Sequence, residues 1–248
     1  MNSVDDKRIS LVVGGIKGIG AATSRRLARC GPVFATYLRD EAAATRFQES
    51  AGREGLPIRT MQADVSSREG VIALLAEVAK AAGRVDNIVF SAVNAHLCQS
   101  LEVSEDAWWK VLETNTAPFL WLGQHMPRVS GQGGRLIALT SPFSRRYVDG
   151  YGAVGPSKAA LESLVVYLGV DLARYGITVN AASGGLIDTP LMRSLVPENH
   201  IGAVARRTPL KRIGTPEDFA GLIAWIASAE ASWMTGQIVS LDGGYFLR

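Results

Sequence analysis

Tyr151 and Lys158 stand seven residues apart in the stretch YGAVGPSK, a phenol and a cation at the start of a helical pattern. On a helix, seven residues turn about 700°, within roughly 20° of the same face, but rise ~10.5 Å. Pro156 lacks an N–H and is best tolerated in a first turn, which places the start of the regular helix near Val154 or Gly155. Tyr151 then sits just before the helix, where Gly150 and Gly152 leave the backbone free to turn the phenol inward. Lys158 projects into the same site, and its cation is expected to lower the phenol's pKa. Ser141, after the apolar run RLIALT, is a further donor for this site or simply the end of a strand. A second reading of Tyr151 stays open, that of a packing side chain in a site without an acid.

A second constellation lies near the N-terminus. In VVGGIKGIGAA, Gly14 permits a tight turn, Gly18 lets the backbone approach a pyrophosphate, and Gly20 allows close helix–strand packing. The N–H groups of the helix that follows would face the phosphates. Selection between nicotinamide cofactors falls at the end of the second strand, in TYLRDE. Arg39 there, with Lys17 in the glycine turn, favours the 2′-phosphate of NADPH; Asp40 next door would serve NADH instead.

The elements that position these groups follow from an alternation of short apolar runs with helical patterns. ISLVVGG, PVFATYL, PIRTMQADV, VDNIVFSA, GRLIALTS, ITVNAAS and GQIVSLDGG read as seven strands. Helices fall between them; one opens on a capping signature, Ser66 with Glu69, and closes at Gly83. AWWKVLETNTAPFLWLGQHM reads as one long helix, and Thr215, Pro216 and Asp218 cap the last one. Apolar strands separated by amphipathic helices imply an α/β fold, a doubly wound and mainly parallel sheet with helices on both faces. No linker or repeat interrupts it, so residues 1–248 read as one domain. The stretch 186–212, broken by Pro190, Pro197 and Pro209, reads as an irregular substrate lid.

Bulk composition removes several function classes. The 248 residues are 47% hydrophobic and 20% charged, with a net charge of +3, so a large core is expected and a nucleic-acid partner is not. No apolar run approaches the ~20 residues that span a bilayer. The N-terminal MNSVDDKRIS is polar and acidic, without a secretory pattern. Cys30 and Cys98 offer neither metal spacing nor a disulfide framework, and the histidines show no ligand spacing. A cytoplasmic protein without a metal is the expectation.

The spacing of Gly14, Gly18 and Gly20 resembles the TGxxxGxG pattern of the short-chain dehydrogenase/reductase family, with Val13 in the place of the threonine that anchors the turn. Asn115 in ETNTAPF, Lys158, NAASGGLIDT and the closing RIGTPEDFAGLIAWIASAEASWMTGQIVSLDGG continue the likeness over essentially the whole chain. It implies a single Rossmann domain in which Asp64 and Val65 lie beside the adenine. Gly14, Lys17, Gly18, Ile19, Gly20, Arg39, Lys158, Gly185, Ile187 and Thr189 would line the cofactor. It also implies a dimer or tetramer, and it puts Ser141 and Asn115 at the positions of the family's serine and asparagine.

The family's tyrosine, four before the lysine, is Val154 here, which has no proton to give. Tyr-x6-Lys resembles instead the enoyl-acyl-carrier-protein reductases of this fold, and Ser183-Gly184-Gly185 resembles their NADPH-dependent third type. By that likeness Tyr151 stabilises an enolate, Lys158 holds the nicotinamide ribose, and the substrate is an acyl thioester on acyl carrier protein or coenzyme A. The displacement has a chemical rationale. In ketone reduction, hydride and proton go to the two atoms of one C=O bond. In reduction of an α,β-unsaturated thioester, hydride goes to Cβ while charge develops on the more distant carbonyl oxygen, so the donor must stand further away. Cations from Arg145 to Arg212 could steer an acidic carrier protein, or form an ordinary solvated surface. Two other readings fit the same residues: a carbonyl reductase with a relocated acid, using Tyr151 or Ser141, and a dinucleotide-binding protein without chemistry.

Overall fold

The computed structural model describes residues 7–131 and 133–247. In chain order the elements are β1 (Ser10–Val13), α1 (Gly18–Ala28), β2 (Val33–Tyr37), α2 (Glu41–Arg53), β3 (Ile58–Gln62), α3 (Arg68–Ala82) and β4 (Asn87–Phe90). They continue as α4 (Glu105–Asn115), α5 (Ala117–His125), β5 (Arg135–Thr140), α6 (Val154–Asp171) and β6 (Thr178–Gly184). The last are α7 (Pro190–Leu195), α8 (Glu198–Arg207), α9 (Pro216–Ala227) and β7 (Ile238–Leu241).

Strands covered on both faces must be apolar at nearly every position, and β1, β4 and β5 are buried throughout. Among the described residues, seven strands form one sheet in the order β3-β2-β1-β4-β5-β6-β7, every pairing parallel. Leu74, Phe119 and Leu161 from α3, α5 and α6 fill one face; Leu27, Phe47 and Phe219 from α1, α2 and α9 fill the other. The strand order reverses between β1 and β4. That opens a crevice at the carboxyl ends of the strands, where open α/β sheets take their ligands.

Local details depart from the sequence expectations. Ser67, not Ser66, caps α3 by accepting the Gly70 N–H, because Ser66 is taken by the Asp64 carboxylate. The expected long fourth helix is two. Thr116, at φ −129° and ψ −56°, breaks the run, and Pro118 lies in the first turn of α5. Residues 186–212 are not irregular throughout: most of them form α7 and α8, with Pro190 in the first turn of one and Pro197 at the N-cap of the other. Proline stops a helix from the inside but starts one from its end. No described helix is long and apolar enough to cross a membrane.

At α9 the expected cap forms in both directions. The Asp218 N–H donates to the Thr215 hydroxyl (3.2 Å) and the Thr215 N–H to the Asp218 carboxylate (2.8 Å). Thr215→Ala should lower stability by about 1 kcal/mol, read as an earlier midpoint in urea unfolding.

Candidate active site

The glycine turn leaves β1 at Gly14, whose φ of 78° suits glycine and whose back lies against the Ala92 backbone. The Gly14 N–H donates to the Thr36 hydroxyl (3.1 Å) and the Gly15 N–H to the Thr36 carbonyl (3.0 Å). Thr36 of β2 thus supplies the anchor that Val13 lacks. A Cβ on Gly20 would overlap the Gly14 carbonyl oxygen. Lys17 caps α1 without a side-chain hydrogen bond, so the helix presents open N–H groups to an anion. Gly18 faces the Thr189 side chain, and Thr189 caps α7 by accepting the Met192 N–H at 3.1 Å. Ile19 packs against the α1-side core, Val65 and Ile187 are buried, and Gly185 lies against Asp242.

The charges sort themselves at the end of β2. Lys17 pairs with Asp40, whose carboxylate also caps α2 through the Ala43 N–H; both interactions hold its pKa below the usual range. One of the two expected cations is therefore neutralised, along with the carboxylate that would serve NADH. Arg39 is exposed, and its guanidinium makes no hydrogen bond among the described residues. Asp64 accepts from the Ser66 hydroxyl (2.7 Å) and N–H (2.9 Å), which lower its pKa, as does the nearby Arg39 charge. The turn, the open helix end and the free guanidinium fit a nicotinamide nucleotide with a 2′-phosphate.

At the chemical end, α6 starts at Val154, three residues beyond Tyr151. Val154 is 1% exposed, so the position of the family's tyrosine is filled by packed core. Tyr151 forms an isolated parallel bridge with Cys98; the Cys98 N–H donates to the Gly150 carbonyl and the Gly152 N–H to the Cys98 carbonyl. Its ring meets Phe143 edge-on, centroids 5.7 Å apart at 72°. Its hydroxyl has no protein partner among the described residues, and its ring lines a cavity of about 310 Å³ with Gln99, Phe143, Arg146, Tyr147 and Pro156.

Lys158 is 7% exposed, and its ammonium donates to the Leu139 carbonyl of β5 at 2.9 Å. Burial lowers its pKa to about 8 against the opposing pull of Glu162. The expected lowering of the Tyr151 pKa does not occur: burial raises it, with no contribution from Lys158. Burial disfavours the phenolate, and the Lys158 ammonium is turned to the Leu139 carbonyl. Tyr151 is therefore a neutral donor at ordinary pH.

Asn115 is fully buried. Its oxygen accepts the Asn94 N–H (2.7 Å), while its nitrogen donates to the Asn94 carbonyl (3.1 Å) and the Ser157 hydroxyl (3.0 Å). Both amide hydrogens are used, so Asn115 braces the loop after β4 against α6. Ser141 accepts the Phe143 N–H at 3.4 Å and makes no bond to Tyr151 or Lys158. Tyr147 is 81% exposed and donates to Asp149 (3.1 Å), at the cavity rim.

Several of the cations around the site are committed to carboxylates: Arg145 to Glu162, Arg193 to Asp188 and Glu198, Arg212 to Asp218. Arg146 and Arg207 lie over the rings of Phe246 and Tyr245. Sequence reasoning passed over Thr36, Ser157 and Glu162. Glu162 carried a signal, a carboxylate four residues after Lys158 in an otherwise apolar stretch, KAALESLVVYL.

Residues 14–246 match the family model described as Enoyl-(Acyl carrier protein) reductase. The 1-cyclohexenylcarbonyl-CoA reductase of Streptomyces collinus is 34% identical over 98% of this chain and 88% of its own. The cis-4-hydroxycyclohexanecarboxylate dehydrogenase of Sinomonas cyclohexanicum is 33% identical over 96% of each chain. A short-chain dehydrogenase from Burkholderia cenocepacia J2315, solved in complex with NADP, superposes with a TM-score of 0.89 at 29% identity, covering 96% of this chain and 98% of that one.

The packing at Gly20 yields a direct test. Gly20→Ala should displace the turn and weaken nicotinamide nucleotide binding by about tenfold or more, measured by nucleotide fluorescence titration.

Proposed function

The chain belongs to the short-chain dehydrogenase/reductase family, and on that premise we propose that it uses NADPH to reduce the C=C bond of an α,β-unsaturated acyl thioester. The observation that carries this reading is the exchange at the head of α6. The near position holds a buried valine, and a phenol with a free hydroxyl stands three residues before the helix, facing a cavity. That geometry suits a donor aimed at an oxygen three bonds from the carbon that takes the hydride.

The nicotinamide cofactor, when bound, supplies the hydride for Cβ. Gly14, Gly18 and Gly20 shape the turn for its phosphates, and Arg39 binds the 2′-phosphate. Lys158 donates to the nicotinamide ribose. Tyr151 donates its hydroxyl to the thioester oxygen as negative charge grows there, in a desolvated site where such a bond is strong. Its raised pKa keeps the proton in place, and solvent supplies the proton at Cα. Asn115 and Ser157 position the head of α6, and Ser141 holds the turn that carries Phe143. Phe143 and Phe246, edge-on with centroids 5.4 Å apart, form an apolar wall for the acyl group. The thioester arrives on coenzyme A or acyl carrier protein, in fatty-acid or polyketide biosynthesis in the cytoplasm. Exposed Tyr167 and Val170 on α6 support assembly into a dimer or tetramer.

A second reading, carbonyl reduction with Tyr151 as a relocated acid, is favoured by the relative named as a dehydrogenase. Oxidation of NADPH followed at 340 nm separates the two. Turnover of crotonyl thioester without turnover of acetoacetyl thioester is expected; the reverse would sink the enoyl reading. Tyr151→Phe should lower kcat about 10²- to 10³-fold while NADPH still binds. Arg39→Ala should weaken NADPH binding by about tenfold or more and leave NADH binding unchanged, since a charge-assisted phosphate bond is lost for one nucleotide only.

A further inference from the structure

Glu162 is 4% exposed on α6, one helical turn after Lys158. One carboxylate oxygen accepts the hydroxyls of Thr140 (2.9 Å) and Ser144 (2.7 Å); the other accepts the Arg145 guanidinium N–H (2.8 Å). Burying a carboxylate is costly unless it is well satisfied, and an apolar side chain would fill a helix–strand contact without that cost. The three donors come from the end of β5 and the turn after it, which carries Phe143 onto Tyr151. Consecutive residues of β5 are thereby bound to side chains one turn apart on α6: Leu139 to Lys158, and Thr140 to Glu162.

We infer that Glu162 is a positioning residue, holding the turn that carries Phe143 and keeping the Lys158 ammonium charged where it meets the Leu139 carbonyl. This rests on Lys158 holding the cofactor ribose. Glu162 is the charged group whose field reaches Lys158, and it opposes the desolvation that brings that ammonium to about 8. The other groups around it act differently. Arg145 binds the second carboxylate oxygen, with its side chain 67% exposed. Tyr151 responds to burial alone. β6 holds no titratable residue, and Arg135 at the far end of β5 is spent on carbonyls of Gly133, Gly134 and Ser228. The charged residues of α4 are exposed, and His125 at the end of α5 has its pKa lowered by burial first and by Arg128 and Arg68 after it.

The test is NADPH binding, titrated by nucleotide fluorescence from pH 6 to 10. In the unaltered protein, affinity falls as pH rises through about 8, because the ammonium that donates to the ribose is lost. Glu162→Gln keeps the shape but removes the negative charge, so the midpoint of that fall moves to lower pH. Arg145→Gln leaves the carboxylate in place, so the midpoint stays near 8 while kcat falls as the turn loosens. A lower midpoint in Glu162→Gln beside an unmoved one in Arg145→Gln supports the inference. A fixed midpoint in Glu162→Gln, with or without a uniform loss of affinity, would overturn it. Should Glu162→Gln not fold, Arg145→Gln decides alone through kcat, and an unchanged kcat overturns the inference. Lys158→Met must abolish the fall. If the fall persists there, the role assigned to Lys158 is wrong, a failure distinct from that of Glu162.

Discussion

An ammonium group taken out of water must find compensation inside the protein, and at Lys158 it finds a carbonyl from β5 and the field of a carboxylate one turn along its own helix. Those requirements fix how α6 lies against β5. They also fix where the helix begins, because the head of α6 is braced through Ser157 and Asn115 to the loop after β4. With the helix start set at Val154, Tyr151 falls outside it and is held by the bridge to Cys98 and the edge of Phe143. The position of the phenol is a consequence of how the lysine is buried.

The sheet was legible because parallel strands shielded on both sides must be apolar, so β1, β4 and β5 stand out as runs without polar interruption. The glycine turn was legible for a comparable reason, since a Cβ at position 20 would meet a carbonyl. Boundaries decided by competition between neighbours were not. Ser66 and Ser67 have the same capping chemistry, and only the reach of Asp64 decides which one caps α3. In α4 and α5 the apolar pattern runs through the break at Thr116 and hides it. In the stretch after β6, two of the three prolines that suggested irregular chain, Pro190 and Pro197, begin helices instead.

The candidate site was legible in its residue types and less so in their electrostatics. Tyr151 and Lys158 could be named from spacing and the start of the helix could be placed from Pro156, but whether charge or burial governs the phenol depends on side-chain packing. Burial governs it. Lys17 and Arg39 looked like equivalent cations, and the structure separates them by giving Lys17 to Asp40. Thr36 was hidden because a threonine in a β-run is ordinary, and its anchoring bond crosses to a turn 22 residues away. Glu162 broke an apolar pattern visibly, yet its partners sit in another element.

In the proposed reaction Tyr151 serves an oxygen remote from the carbon that receives hydride. The most direct measurement is the position of label in the product formed from an enoyl thioester and NADPH carrying deuterium at the transferring face of C4. Deuterium is expected at Cβ of a saturated thioester, with a solvent proton at Cα. No turnover of the enoyl thioester, with deuterium instead on the carbinol carbon formed from a 3-oxoacyl thioester, would contradict it and return Tyr151 to the role of a carbonyl acid.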